Sequence, residues 1–340
     1  MSLFGKKKAE IRVHVFGKTD TGRQREHNED SFLVADLTRS NASLKPEVRD
    51  HELGPKGTLL LVADGMGGAA AGEVASKMAT ESIYTHLTTT WLDDSESTPQ
   101  QFAFRLREAV EEANSKIHDH SKNHPDLRGM GTTATAVGIL GDFLYLTQVG
   151  DSRAYIIRKG EGAQITKDQS LMQRLIDAGE LTEEEAEKSE RRNIILQALG
   201  PDPRVRVDLT HHEIRRGDTV VVCSDGLSGL VKREEIAEIV TRTPDMIEAC
   251  GQLIDIANDR GGPDNITVIA ARIDGDLKEP GDHVAEGYQV YPLLDTESTT
   301  EPVPVYRGSP APEPTSDRTR MLIGGIASAL ILIVSLIIAA

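Results

Sequence analysis

Apolar positions along the chain fall into short unbroken runs, and the most informative of these end on an aspartate. In Leu59-Leu60-Leu61-Val62-Ala63-Asp64-Gly65-Met66-Gly67-Gly68 five apolar residues lead to a carboxylate and then to glycines. The run predicts a buried strand, and the glycines predict a loop that opens at Asp64. The pattern returns in Thr219-Val220-Val221-Val222-Cys223-Ser224-Asp225-Gly226. A third acid, Asp264, follows the turn Gly261-Gly262-Pro263 and precedes Asn265 and the apolar run 266–270. Carboxylates held at three strand ends can converge on one site for a hard cation.

Alternation of period two predicts a strand over 11–16, and apolar runs bounded by turn residues predict strands over 31–35, 131–137, 143–149, 153–157, 204–209, 219–223 and 265–273. Helical spacing predicts helices over 71–86, 99–120, 234–241 and 245–258, with Phe102, Leu106, Val110 and Ile117 forming the buried stripe of the second. A polar helical stretch over 170–188 lies within an insertion, about 165–200, that reads as a small flap. Residues 41–56, punctuated by Pro46, Gly54 and Pro55, read as a surface excursion. Hairpin-length connections between most strands predict an antiparallel α+β layer fold and argue against a doubly wound parallel sheet. Arg25, Glu29 and Asp30 precede the strand at 31–35, where they either solvate a turn or line a site.

Composition changes this picture mainly at the ends. The chain has 340 residues, 38% of them hydrophobic, enough for a sizeable core, and a formal charge of −16. That charge excludes non-specific nucleic-acid binding, which needs clustered Lys and Arg. The basic exception is Lys6-Lys7-Lys8 in the segment 1–10, where no secretory leader is expected. Cys223 and Cys250 read as buried reduced thiols. Residues 274–320 hold seven of the fifteen prolines, with ten acids against four bases, and predict a disordered linker. Residues 321–340 carry no charge, and twenty residues at 1.5 Å each span roughly 30 Å, so a transmembrane helix is expected there. Arg318 and Arg320 beside it place the N-terminal part in the cytoplasm.

Aspartates and backbone carbonyls without His or Cys clusters suit Mg²⁺ or Mn²⁺ rather than zinc. The one adjacent histidine pair, His211-His212, points to opposite faces of a strand and reads as packing. Paired divalent ions serve phosphate chemistry, and a dianionic substrate calls for an arginine fork, for which Arg25 is the candidate.

Taken together, Arg25-x-x-Asn28-Glu29-Asp30, the Asp64 stretch, Gly72-Glu73, Gly129-Met130-Gly131-Thr132-Thr133, Val149-Gly150-Asp151-Ser152-Arg153, Cys223 to Leu227 and Gly262 to Thr267 resemble the ordered motifs of bacterial-type, metal-dependent, type-2C Ser/Thr protein phosphatases. The resemblance covers 11–273. It implies a four-layer α-β-β-α sandwich with two antiparallel sheets and a binuclear Mn²⁺/Mg²⁺ centre. It implies that Asp64 and the Gly65 carbonyl hold one or both ions, that Asp225 and Asp264 hold the second, and that Asp126 holds a third, weaker ion. Glu29 and Asp30 would orient water and Arg25 would bind phosphate. Asp151 and Asn265 are supporting candidates, Asp151 being equally readable as a turn aspartate. One departure stands out: Ala69 occupies a position where a histidine is expected. The expected activity is hydrolysis of phosphoserine and phosphothreonine in phosphorylated proteins by direct attack of water, near the membrane and plausibly on a membrane Ser/Thr kinase and its substrates. The alternatives are a catalytically weak, membrane-tethered phosphoprotein-binding regulator, to which Ala69 alone points, and a hydrolase of small phosphoesters.

Overall fold

The computed structural model describes residues 10–95, 97–281 and 285–291. Strands Glu161–Gln164, Arg153–Arg158, Thr219–Cys223, Ile266–Gly275, Ile11–Asp20 and Asp50–Glu52 form one sheet in that spatial order. Strands Asp208–Glu213, Phe143–Val149, Ala134–Leu140, Thr58–Met66, Asp30–Asp36 and Asn41–Ala42 form the other, with the short strand Gly131–Thr132 paired to the far end of Thr58–Met66. Every pairing is antiparallel.

The unbroken apolar runs reflect burial on both faces. Leu60 and Val62 point into the layer between the sheets with Val15, Val137, Leu146, Val222 and Ile269. Their neighbours Leu59, Leu61 and Ala63 point the other way, onto helices Ala69–Thr90 and Pro99–Asn123. On the opposite flank Val221, Cys223, Val268 and Ala270 meet helices Arg233–Arg242 and Met246–Asp259. Phe102 anchors the first helical layer, tilted against Trp91 at 5.0 Å between ring centroids and fully buried. Truncating such a side chain to Ala costs roughly 3–5 kcal/mol.

The structure departs from the sequence expectations in several places. The expected strand over 131–137 is broken at Thr133, whose amide and hydroxyl are both drawn to the Asp64 backbone: Thr133 N–H donates to the Asp64 carbonyl, and Thr133 Oγ1 accepts the Asp64 N–H, each at 2.9 Å. The strand expected over 204–209 runs instead over Asp208–Glu213, because its ladder begins at Asp208 opposite Gln148, beyond which the partner strand ends. Within 41–56 lie two edge strands, and His51 is buried there between the Val48 carbonyl and the Thr58 hydroxyl at 2.7 and 2.6 Å. The insertion carries helices Leu171–Asp177 and Glu183–Glu187, capped by Ser170 and Thr182.

The linker expected from residue 274 onward begins too early. The last strand runs to Gly275, and the following residues pack back on the domain: Leu277 and Ala285 are buried, Tyr291 N–H donates to the Leu209 carbonyl at 2.8 Å, and the Tyr291 ring lies 4.8 Å from that of His211. Composition registered the acids and prolines, whereas a few apolar anchors decide the packing. No helix among the described residues is long and apolar enough to cross a membrane. The expected transmembrane segment 321–340, the segment 1–9 and the linker from 292 to 320 lie outside the described residues.

The histidine pair behaves as packing: His212 is buried while His211 faces Phe143 and Tyr291. Burial, reinforced by His211 and Arg158 and opposed by Glu286, pushes the His212 imidazole down to about 4. An unfolded histidine takes up its proton near 6.5, so between these values the unfolded state binds a proton that the folded state refuses. Stability is therefore expected to fall as pH drops from about 6.5 to 4, with a His212 share on the order of 3 kcal/mol. Denaturant titrations at several pH values check this: His212→Phe should flatten that part of the slope, and an unchanged slope refutes it.

Candidate functional site

Four of the acids sit where strands of the two sheets end. Asp30 opens strand Asp30–Asp36 and lies directly opposite Asp64 on Thr58–Met66. Cross-strand partners share a face, and like charges there are destabilising, so this arrangement opposes stability. From the other sheet come Asp225, just past the end of Thr219–Cys223, and Asp264, just before Ile266–Gly275. Asp30 is buried, and Asp64, Asp225 and Asp264 are half-buried.

Electrostatics ties these carboxylates together. Burial, then the charges of Asp30, Asp225, Asp151 and Asp264, push the Asp64 carboxyl well above its ordinary range. Burial and Asp264 raise Asp225, while a hydrogen bond with Asp64 works against the rise. Asp30 is pushed up to about 7 by burial, against the hydrogen bonds of Thr267 and Ser224, with Asp225 and Asp264 adding to the rise. The turn aspartate Asp151 joins them: it is buried and pushed up to about 8 by burial and by Asp225, with Arg153 opposing. One oxygen of Asp30 and one of Asp151 are buried without a hydrogen-bond partner.

Glu29 is placed by two glycines. Gly65 N–H donates to the Glu29 carbonyl at 3.2 Å, and a Cβ at Gly72 would overlap the Glu29 carboxylate. Asn265 fastens the same loop, accepting the Glu29 N–H at 2.7 Å and donating to the carbonyls of Thr21 and His27 at 3.0 and 2.9 Å. Arg25, half-exposed, donates from Nη2 to Asp264 Oδ2 at 2.8 Å. Its other charged neighbours are Glu29 and Asp64.

Of the residues expected at the site, Arg25, Glu29, Asp30, Asp64, Gly65, Asp151, Asp225, Asp264 and Asn265 thus come together. Asp126 is exposed in the one-turn 3-10 helix Pro125–Leu127. Ala69 is the first residue of helix Ala69–Thr90, after Gly68. The sequence reading missed the hydroxyls behind the acids, namely Ser224 and Thr267 on Asp30 and Thr133 on the Asp64 backbone. Their signal was available, because Ser224 adjoins Asp225 and Thr267 follows Asp264 by three.

The donor set is oxygen-only, mutually repelling and in part unpartnered, which fits hard divalent cations and no softer ion. Among the described residues no three acidic, His or Cys side chains already close around a common point. Arg25 holds one Asp264 oxygen and the Asn265 N–H, at 2.9 Å, holds the other. Each oxygen keeps a second lone pair open to a cation.

The chain is similar to known proteins in sequence and in architecture. Residues 49–258 match the family described as protein phosphatase 2C. The serine/threonine phosphatase stp of Listeria monocytogenes is 35% identical over 270 residues, 79% of this chain and 98% of that protein. The serine/threonine protein phosphatase PstP of Mycobacterium tuberculosis is 44% identical over 215 residues, 63% of this chain but 40% of its own length, so the chain aligns with less than half of that relative. The crystal structure of the same mycobacterial phosphatase superposes with a TM-score of 0.65 at 38% identity, covering 77% of this chain and 99% of that one. Its catalytic domain has also been solved in complex with two manganese ions, and superposes with a TM-score of 0.63 at 38% identity over 78% of this chain and 99% of that one. Matched over most of its folded part by sequence and by architecture, the chain belongs to the protein phosphatase 2C family.

Proposed function

We propose that the chain is a metal-dependent protein phosphatase that hydrolyses phosphoserine and phosphothreonine in proteins. The observation that carries this reading is the gathering of Asp30, Asp64, Asp225 and Asp264 from two sheets, at the cost of mutual repulsion, beside a half-exposed arginine. A scaffold has no use for such a grouping.

In this reading Asp64 and the Gly65 carbonyl, with Asp225 and Asp264, hold two Mn²⁺ or Mg²⁺ ions. Bound there, the ions supply Lewis-acid activation of water and neutralise phosphoryl charge. Asp30 and Glu29 would orient the attacking water, and Asp30, one of whose oxygens has no hydrogen-bond partner, would accept its proton. Arg25 provides a planar guanidinium for the phosphoryl oxygens. Asp126 belongs to a third ion of lower affinity, since an exposed, freely solvated carboxylate is a weak ligand. The buried thiols Cys223 and Cys250 are both pushed up to about 12 by burial and are poor nucleophiles, which favours direct attack by water. Hydrolysis of a phosphothreonine peptide in ¹⁸O-water with Mn²⁺ should place one label in the released phosphate, and a chelator should abolish it. A trapped phospho-enzyme, or turnover indifferent to chelator, overturns the reading.

The composition of 321–340 supports a membrane anchor with the catalytic domain on the cytoplasmic side, which raises the effective concentration of membrane substrates such as a receptor-type Ser/Thr kinase. Deleting 321–340 should move the protein from the membrane fraction to the soluble one, and retention at the membrane refutes the anchor. Gly72→Ala is expected to push Glu29 aside and lower turnover by roughly 100-fold, since displacement of about 1 Å at a reacting centre has that effect. Steady-state kinetics with circular dichroism as a folding control checks it.

A further inference from the structure

Behind Asp30 lies a chain of hydroxyls whose hydrogen-bond directions can be read off. Ser224 Oγ accepts the Thr267 N–H at 3.0 Å, so its one hydrogen is free for Asp30 Oδ2, 2.8 Å away. Thr267 Oγ1 lies 2.6 Å from the same Oδ2. On its far side Thr267 Oγ1 is 2.7 Å from Thr19 Oγ1, its partner across the paired strands Ile11–Asp20 and Ile266–Gly275. Thr19 Oγ1 in turn accepts from Asn28 Nδ2 at 2.9 Å. A carboxylate is an acceptor only, so Thr267 donates to Asp30, Thr19 donates to Thr267 and Asn28 donates to Thr19. Every hydrogen in the chain points towards Oδ2. The Asp30 backbone is also tethered, its N–H donating to Asn28 Oδ1 at 3.1 Å. Oδ1 of the same carboxylate has no partner at all.

We propose that Thr267, Ser224 and Thr19 are positioning residues that hold Asp30 through one oxygen and leave the other as a single, fixed base for the reacting water. A carboxylate without this cradle can turn about its last bond and share its charge over several directions. One held by two converging hydroxyls has a defined plane and one bare oxygen, the preorganisation that proton abstraction rewards. Thr267 is the keystone because it touches Asp30, Ser224 and Thr19 at once.

The inference rests on the phosphatase reading and is tested apart from it. With a phosphothreonine peptide and saturating Mn²⁺, Thr267→Val, which keeps the shape and removes the hydroxyl, is expected to lower kcat by about 10- to 100-fold, within the range a positioned base contributes. KM and the calorimetric Mn²⁺ affinity should stay within about twofold, because no proposed ligand of the ions is touched, and Thr267→Ser should restore kcat to within about threefold. Ser224→Ala supplies a second variant should Thr267→Val fold poorly, with a smaller fall in kcat expected from loss of one of the two donors. Wild-type kcat in a folded Thr267→Val, failure of Thr267→Ser to restore it, or weakening of Mn²⁺ binding in proportion to the loss overturns the proposal. A wild-type protein without phosphopeptide turnover overturns the phosphatase reading instead. The cradle is then read without turnover: the Thr267 hydroxyl proton should give a slowly exchanging downfield NMR resonance that disappears in Asp30→Ala, and its absence from the wild type overturns the cradle.

Discussion

Asp64→Asn is expected to abolish phosphopeptide hydrolysis and, with chelator present, to raise the melting temperature. Asp64 faces Asp30 directly across the ladder and feels Asp225, Asp151 and Asp264 as well. Replacing one charge by an amide of the same shape relieves that repulsion. A higher melting temperature than wild type is therefore expected with chelator present. Divalent cations reverse the order. The wild type gains about 2.7 kcal/mol at a free ion concentration 100 times the dissociation constant, whereas the variant has lost a ligand and gains little. Turnover should fall by roughly 1000-fold, as when a preorganised electrostatic group is removed from a reacting centre. Calorimetry with chelator and with Mn²⁺ decides the matter: a variant less stable than wild type in both conditions means that Asp64 is a structural residue.

The acids were legible in the sequence because each follows or precedes an apolar run buried on both faces, although the strand of Asp64 continues to Met66 and the loop expected at Asp64 opens only after it. Leu59–Ala63 and Thr219–Cys223 announce both the strand and the point at which a carboxylate leaves it. The pairing that brings Asp64 opposite Asp30, or Thr19 opposite Thr267, is a matter of register between segments as far as 248 residues apart, and no local pattern encodes it. For that reason the acids could be named, while Ser224 and Thr267, visible beside Asp225 and Asp264, could not be assigned to Asp30. The edge strands were illegible for another reason. Glu161–Gln164 has no apolar alternation and is a strand because Arg153–Arg158 offers it a ladder, and Asp50–Glu52 is one because Ile11–Asp20 does. The described residues of 276–281 and 285–291 show the limit of composition: acids and Pro280 describe a linker, while Leu277, Ala285 and Tyr291 pack on the domain.

The same strands that carry unpaired acids at one end carry a paired one at the other, and a large stability effect is expected at that end. Arg158 closes strand Arg153–Arg158, and Asp218 precedes Thr219–Cys223. Both are buried, and the guanidinium grips the carboxylate with two bonds, Nε to Oδ1 at 2.9 Å and Nη2 to Oδ2 at 2.7 Å, with Nη2 also donating to the Glu213 carbonyl at 3.0 Å. Removing one partner strands a buried charge, so Arg158→Met is expected to cost about 3–5 kcal/mol. Asp218 Oδ2 also accepts the Arg215 N–H at 2.8 Å, an acceptor that asparagine preserves. Adding Asp218→Asn to Arg158→Met removes the stranded charge while keeping the turn, and should recover at least half of the loss. Denaturant unfolding of the wild type, the single variant and the double variant measures the cycle, and a double variant less stable than Arg158→Met refutes the stranded-charge account. Activity per folded molecule should be unchanged in both, because this end of the sheet touches none of the catalytic acids. Pairing is thus spent where the sandwich needs strength and withheld where a cation has to enter.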